Sequence, residues 1–205
     1  RSPDVRVAVA TGSHAPPTAT EMREIFGPRL AEVRERVHIH RAAVDPFFSH
    51  GATSRGTPVE VSLCLEDAEV VVGLGSVEPH YFAGWTGGRK SLVPGLCSLA
   101  TMRANHRLAL EAGAAVGTLA GNPLHLDLQE AVGVLGDSLR RRGAAVPVGV
   151  NAVVARGHVH AWQQGPLLEM VEALAPCGRE IFGRRIGGRF PLVVCLVDHP
   201  LDRDL

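Results

Sequence analysis

Glu69-Val-Val-Val-Gly-Leu74 is a run of almost unbroken apolar residues. A strand of this composition is typical of the middle of a parallel sheet, where both faces are buried. A Gly-rich loop, residues 75–95, follows it directly. Ligands of open α/β sheets bind beyond the carboxyl ends of the strands, so this loop is predicted to be part of a binding site.

Strands and helices are predicted to alternate along the rest of the chain. Apolar runs indicate strands at residues 5–10, 37–40, 59–63 and 192–197, and a hairpin at residues 148–162. Periodic patterns indicate helices at residues 18–35, 98–112, 123–135 and 166–175, the first with capping-box spacing between Thr18 and Glu21. Residues 45–58, rich in Gly, Pro and Ser, are predicted to be a loop. The alternation predicts an α/β fold with a largely parallel sheet flanked by helices.

Composition narrows the classes of function. The 205 residues suffice for a domain of ordinary size, and their formal net charge is zero, with no charged tail. Nucleic acid and membranes are therefore not expected as partners, since no segment has the apolar length of a membrane span and the first residues lack a signal-peptide pattern. The cysteines lie far apart without a CxxC pair, which favours reduced thiols and a cytoplasmic protein. They are Cys64, Cys97, Cys177 and Cys195.

Lys90 is the only lysine in the chain, because the other 20 of its 21 basic residues are arginine. A lysine kept against that bias indicates chemistry that a guanidinium cannot perform, namely losing its proton and forming a covalent bond through its amine. Lys90 closes the run Glu78-Pro-His-Tyr-Phe-Ala-Gly-Trp-Thr-Gly-Gly-Arg-Lys90. From the lysine alone, chance retention at a surface site is an equal alternative; its place in a Gly-rich loop favours function.

Three histidines are candidates for the same site. His14 and His80 each lie just past a predicted strand, so they can converge on one pocket and serve as general acid and base. A loop histidine that caps backbone groups is the alternative for each. His106, in a predicted helix, is either a metal ligand or a half-buried surface residue, and without a second ligand at i+4 an all-protein zinc site is not expected.

The glycines of the loop admit two interpretations. Gly84, Gly87 and Gly88 allow conformations closed to other residues, so successive free N–H groups can cradle a phosphate, or the glycines simply form a tight turn. The sequence Gly-Gly-Arg-Lys-Ser is not a Walker A loop. Four further histidines alternate in strand-like runs and are predicted to lie at the surface. They are His38, His40, His158 and His160.

Taken together, these motifs resemble the nickel-dependent lactate racemases and their relatives. The matching set is Ala10-Thr-Gly-Ser-His14, Glu78-Pro-His80, Ala83-Gly84, Gly87-Gly-Arg-Lys90, Pro94-Gly95 and Asn105-His106, with Asn122-Pro123 and Asn151 as later positions. Each motif alone is weak, but the ordered set is specific, and the resemblance covers most of the chain.

The resemblance implies a racemase or epimerase of a small, lactate-like 2-hydroxy acid, working by hydride transfer with nickel in a nickel-pincer nucleotide. This cofactor is a pyridinium-3-thioamide-5-thiocarboxylate mononucleotide, which Lys90 would hold covalently and which Gly87 and Gly88 would help to bind. His106 would be the protein ligand to nickel, in a planar set of the kind Ni(II) favours. His14 and His80 would be the paired acid and base. Dedicated cofactor-biosynthesis proteins are the implied partners.

The sequence departs from the family pattern in places. Ala15 stands where the family often has arginine, and Gln163-Gln164-Gly165 replaces a more usual Gly-Asp segment. The family also has an upstream Asp/Arg motif and a downstream Gln and Lys that this chain lacks. We therefore expect residues 1–180 to be a cofactor-binding α/β domain without its N-terminal start. Residues 181–205 are expected to be a linker and the first strand of a truncated second domain, in a fragment without full activity.

Two other classes of function stay open. The first is a nucleotide- or phosphate-binding transferase that uses the Gly-rich loop and a free Lys90, without nickel. The second is a non-catalytic binding module that keeps the fold but not the turnover. Modification of Lys90 together with bound nickel distinguishes the racemase from both. The oligomeric state and the side chain of the substrate do not follow from the sequence.

Overall fold

The structure, a computed structural model, describes residues 4–184 of the chain. Its strands are β1 (Val7–Val9), β2 (Val37–Ile39), β3 (Phe47–Ala52), β4 (Pro58–Ser62), β5 (Val72–Ser76), β6 (Pro79–His80), β7 (Gly84–Trp85), β8 (Val148–Ala155) and β9 (His158–Pro166). Its helices are α1 (Ala19–Phe26), α2 (Leu30–Val33), α3 (Leu99–His106), α4 (Pro123–Arg141) and α5 (Met170–Phe182).

The strands form small sheets in which parallel and antiparallel pairs both occur. β1 pairs with β2 in parallel, and β5 pairs with β8 in parallel. The predicted hairpin is confirmed: β8 and β9 are antiparallel, and their turn contains Arg156 and Gly157, both at positive φ. Two further antiparallel pairs are β3–β4 and β6–β7. Because both parallel connections contain helices, the predicted α/β class is confirmed.

The prediction that the apolar run at residues 69–74 is a central strand is wrong. Among the described residues, β5 pairs only with β8 and lies at the edge of the order β5-β8-β9. Val72 and Leu74 are 50% and 70% exposed on one face of it. The other face is packed so closely that a Cβ added at Gly73 would lie 2.6 Å from Leu167 Cδ1. The sequence therefore showed the apolar character of the strand but not that one of its faces is open.

The predicted loop at residues 45–58 is also wrong, because β3 lies within it. β3 pairs with β4, and Phe47 lies opposite Ser62 in the register. The loop is limited to the short connection between β3 and β4, which is closed by a hydrogen bond from Thr53 N–H to Thr57 O at 2.9 Å. Ser49 and Gly51 inside β3, together with the Gly and Ser of the turn, concealed a strand that begins with Phe47-Phe48.

The helix predicted for residues 18–35 is partly confirmed. Its capping box is present, since the Thr18 hydroxyl accepts from Glu21 N–H and the Glu21 carboxylate accepts from Thr18 N–H. α1 nevertheless ends at Phe26, because Gly27 has φ 56° and Pro28 has no N–H to continue the helix. α2 is a separate short helix.

The remaining predicted helices are confirmed with different ends. α3 is shorter than predicted, α4 runs six residues further, and α5 begins after a short 3₁₀ turn, Leu167–Glu169. The predicted strand at residues 192–197 and most of the predicted second domain lie outside the described residues. None of the helices between residues 4 and 184 has the length and hydrophobicity needed to cross a bilayer.

Two apolar clusters hold the Gly-rich loop between them. The larger joins β4 to α4 and to the end of the loop, and its buried side chains include Val59, Val61, Leu92, Val93, Leu96, Leu128, Ala131 and Leu135. The smaller joins the middle of the loop to β8 and α5 through Val77, Trp85, Val153, Val171, Leu174 and Ala175. The loop is therefore a packed part of the fold.

Candidate functional site

The loop after β5 folds back on itself and presents Lys90 in a short 3₁₀ turn, Gly88–Ser91. The Thr86 hydroxyl closes the loop, since it donates to Ser76 O and accepts from Glu78 N–H, both at 2.9 Å. At Gly87 φ is 75°, and an added Cβ would lie 2.7 Å from Ser76 O. Only glycine fits this position, so the sharp approach to Lys90 depends on it.

Asn151, on β8, holds the same turn in place through hydrogen bonds of its side-chain amide. It is buried, its Oδ1 accepts from Gly88 N–H at 2.8 Å, and its Nδ2 donates to Gly73 O at 3.3 Å. The Gly88 amide is thus committed to a protein partner. The geometry favours the tight-turn interpretation of these glycines over a cradle of free amides for phosphate.

Lys90 lies in an environment that favours a neutral amine. Burial, with the charge of Arg89, lowers the pKa of Lys90 to about 7. Arg89 is itself fully buried; its Nη2 donates to Ala83 O at 3.1 Å, and burial lowers its pKa to about 10. A large fraction of Lys90 is therefore unprotonated at neutral pH, as a nucleophilic amine must be.

His80 is held by aromatic rings and by one backbone amide. Its ring stacks on Tyr81 with centroids 4.7 Å apart and meets the edge of Phe82 at 4.6 Å. Burial, then the charge of Lys90, lowers the pKa of His80 to about 3. Ala83 N–H donates to His80 Nδ1 at 3.2 Å. The neutral ring therefore carries its proton on Nε2 and presents a hydrogen-bond donor there.

His106, the last residue of α3, lies on the other side of Phe82. The Phe82 and His106 rings meet edge to face at 5.1 Å. Burial, then the charges of Lys90 and His14, lowers the pKa of His106. A neutral imidazole has a free ring nitrogen, which is the form that binds a metal.

A buried polar network fixes the end of α3. Asn105 Nδ2 donates to Asp127 Oδ2 at 2.8 Å, and the same carboxylate accepts from Thr53 at 2.6 Å and Thr57 at 2.9 Å. This network ties α3 to α4 and to the β3–β4 turn. It therefore sets the position of His106, the residue after Asn105.

His14 lies in the loop after β1 and is exposed. Gly12 N–H donates to Gly95 O at 3.0 Å, which joins this loop to the end of the Gly-rich loop. His14 is close enough for its charge to act on His80 and His106. It also borders an open cleft of ≈ 540 Å³ between its own loop and α1, which the other three candidates do not line.

The structure thus places the four predicted side chains close enough that, in addition to burial, the charges of Lys90, His106 and His14 lower the pKa of His80. Their roles stay predictions. Sequence reasoning missed the supporting residues Phe82, Arg89, Asp127 and the contacts of Asn151. Only Arg89 gave a signal, as the residue next to the lone lysine. Asp127 and Asn151 act across long sequence separations, since 22 residues separate Asn105 from Asp127 and 63 separate Gly88 from Asn151. Phe82 contacts His80 locally, but no pattern singled it out.

Comparison with known proteins identifies the family. The family model described as the lactate racemase N-terminal domain matches residues 1–117. The chain belongs to this family. All four candidate side chains of this lactate racemase-type domain lie within the matched residues.

The curated relatives are lactate racemases. That of Thermoanaerobacterium thermosaccharolyticum is 34% identical over 130 residues, and that of Lactiplantibacillus plantarum is 32% identical over 127 residues. These alignments cover 62% and 60% of this chain but only 30% of each relative. The chain therefore matches less than a third of the length of these enzymes.

Solved structures agree with this assignment. The lactate racemase apoprotein from T. thermosaccharolyticum superposes with a TM-score of 0.70 at 28% identity, over 86% of this chain and 40% of that one. A Thermotoga maritima protein superposes with a TM-score of 0.66 at 20% identity, over 85% and 45% of the two chains, which shows the shared fold alone.

Proposed function

We propose that this chain is the cofactor-binding part of a racemase or epimerase that acts on a lactate-like 2-hydroxy acid. The observation that carries the proposal is the clustering of Lys90, with its lowered pKa, beside His80, His106 and His14, in a lactate racemase-type domain. We assign residues 1–180, which contain all four candidate side chains, to this domain. The proposed compartment is the cytoplasm, and the proposed partners are the proteins that build the cofactor.

The residues present fit a nickel-pincer nucleotide. The Lys90 amine, with a pKa of about 7, is suited to an amide-type bond that a permanently charged arginine could not form. His106 presents a neutral ring, braced by Phe82, as the ligand to nickel. When bound, this group supplies a reversible acceptor for the substrate Cα hydride.

His14 and His80 supply proton transfer at the substrate hydroxyl. In the tautomer that its contact with Ala83 N–H implies, His80 donates a hydrogen bond from Nε2, which suits the oxygen of a 2-keto acid. To take a proton at Nε2 instead, His80 must carry its other proton on Nδ1, which breaks the contact with Ala83 N–H. His14, on the exposed side, would serve the opposite enantiomer. Two bases on opposite sides are what inversion at one carbon requires.

The alternative transferase has less support. It needs a charged Lys90 and free loop amides to bind phosphate, whereas burial lowers the pKa of Lys90 and Asn151 takes the Gly88 amide. No described contact favours it over the racemase.

Nickel content tests the proposed site. The chain is co-expressed with cofactor-building enzymes that are shown to load a known lactate racemase in the same cells. We expect close to one nickel per wild-type chain, and loss of nickel in both Lys90→Arg and His106→Ala. His158→Gln, which changes an exposed histidine on β9, is the control that keeps its nickel. A wild-type chain without nickel under these conditions contradicts the proposal.

An isotope experiment tests the reaction. The loaded protein is given one enantiomer of a 2-hydroxy acid that carries deuterium at Cα. Interconversion by hydride transfer keeps the deuterium in the product, whereas loss of deuterium to water would indicate proton abstraction from carbon and overturn the proposed chemistry.

A further inference from the structure

A second cluster of metal-binding side chains lies beside β2, away from the residues assigned to nickel. It consists of His38, His40 and Asp45, whose ligand atoms all lie within 4.8 Å of one another. The prediction that His38 and His40 lie at the surface is wrong for His40, which is fully buried, and the Asp45 side chain is only 8% exposed. His38 is 38% exposed and opens the cluster to solvent.

The hydrogen bonds of His40 place one of its ring nitrogens against a group that accepts when ionised. His40 Nε2 lies 3.0 Å from Cys97 O, which can only accept, so Nε2 carries a proton. His40 Nδ1 lies 3.1 Å from Asp45 Oδ2, which also only accepts when ionised. A neutral His40 would therefore point a lone pair at a carboxylate. A proton on either atom, or a metal ion bound by both, removes this repulsion.

The same oxygen has another close neighbour. His38 Nε2 lies 2.8 Å from Asp45 Oδ2, so two imidazoles converge on one carboxylate oxygen. The Ser62 hydroxyl also donates to this oxygen, at 3.5 Å. Two nitrogens and one anionic oxygen are a donor set typical of zinc and its neighbours.

The spacing and the surroundings suit such an ion. Ligands of a tetrahedral zinc site with bonds near 2.0 Å lie about 3.3 Å from one another. The two nitrogen–oxygen separations, 2.8 and 3.1 Å, need to widen by only a few tenths of an ångström, and the two histidine nitrogens lie within 4.8 Å of each other. The contact of His40 Nε2 with Cys97 O is the backbone contact that commonly orients a metal-binding histidine. We propose that His38, His40 and Asp45 bind a divalent transition-metal ion of the zinc type, with water completing its coordination.

The proposed ion would brace the fold rather than take part in racemisation. The Thr11 hydroxyl donates to His40 O at 2.8 Å, so His40 supports the loop that carries His14. Cys97, whose carbonyl faces His40, follows the Gly-rich loop that carries Lys90. An ion on His40 would therefore lock together the two segments that supply the candidate site.

Zinc titration of the metal-stripped, cofactor-free chain against a chromophoric chelator tests this site. We expect one zinc per wild-type chain and a rise in the unfolding temperature on adding zinc. His38→Gln keeps a polar contact with Asp45 but removes the ligand, and should weaken zinc binding by about tenfold or more and abolish the temperature rise. Circular dichroism of His38→Gln checks that the substitution leaves the fold unchanged.

Two control variants separate this site from the others. His106→Ala should retain the zinc, because His106 belongs to the proposed nickel site, and His158→Gln should retain it because this side chain is exposed on β9. Equal zinc affinity in His38→Gln and wild type overturns the proposal, as does the absence of zinc binding in the wild type. Loss of the zinc in His106→Ala but not in His38→Gln would overturn it as well, because the ion would then belong to the nickel site.

Discussion

The loops that carry Lys90 and His14 both follow strands of parallel pairs, yet they are held very differently. The Lys90 loop lies between two apolar clusters and is tied to β8 by Asn151. The His14 loop is exposed from Ser13 to Pro16 and is joined to the Lys90 loop through Gly12. Burial lowers the pKa of Lys90 and of His80 on the packed side. The packed loop therefore shifts the pKa values of Lys90 and His80, while the side chain of His14 in the open loop stays in contact with solvent.

The largest expected effect of this difference is on the reactivity of Lys90. With a pKa of about 7, half of its amines are neutral at pH 7, on the order of 10³ times the fraction for an ordinary lysine. Because it is the only lysine, acetylation followed by peptide mapping reports it separately from the chain terminus. The rate should reach half its maximum near pH 7. A midpoint near pH 10 would show that the packed loop does not shift this amine.

His80 should make the chain sensitive to acid. Its pKa lies at about 3, below the usual 6.5, so the unfolded chain binds more protons between these values and stability is lost as the pH falls through that window. His80→Gln takes up no proton there, so its free energy of unfolding should fall less between pH 6.5 and 3. His158→Gln should behave as wild type. Parallel pH curves for His80→Gln and wild type, from denaturant titrations, would contradict the burial of His80.

Asn151→Ala should destabilise the packed loop. It leaves the buried Gly88 N–H without its partner, and such a loss costs about 1–3 kcal/mol. Ser13→Ala, in the open loop, should change the free energy of unfolding by no more than about 0.5 kcal/mol. Urea unfolding measures both, and similar values for the two variants would remove the distinction between the loops.

His14→Ala should have the smallest effect on folding. Its side chain is exposed, so the free energy of unfolding should stay within about 0.5 kcal/mol of wild type. In the cofactor-loaded protein, the same variant should lose racemisation in both directions, since it lacks one of the two proposed acid/base residues. Unchanged racemisation would exclude His14 from proton transfer.

The sequence predicted the α/β class, and it singled out candidate side chains whose roles stay predictions. Lys90 could be singled out because a lone lysine has no compositional explanation, and His14 and His80 because strand ends are local features. By contrast, the apolar run ending at Leu74 showed hydrophobicity but not which face is covered. The burial of His40 depends on Cys97, 57 residues away, and no local pattern contains that information.

The central claim is that Lys90 is a covalent attachment point, and the mass of the peptide that contains it tests this most directly. The measurement uses protein co-expressed with cofactor-building enzymes that load a known lactate racemase in parallel. We predict an added mass on Lys90 that matches the nucleotide and is absent from Lys90→Arg. An unmodified Lys90 beside a fully loaded reference enzyme would contradict the proposed function.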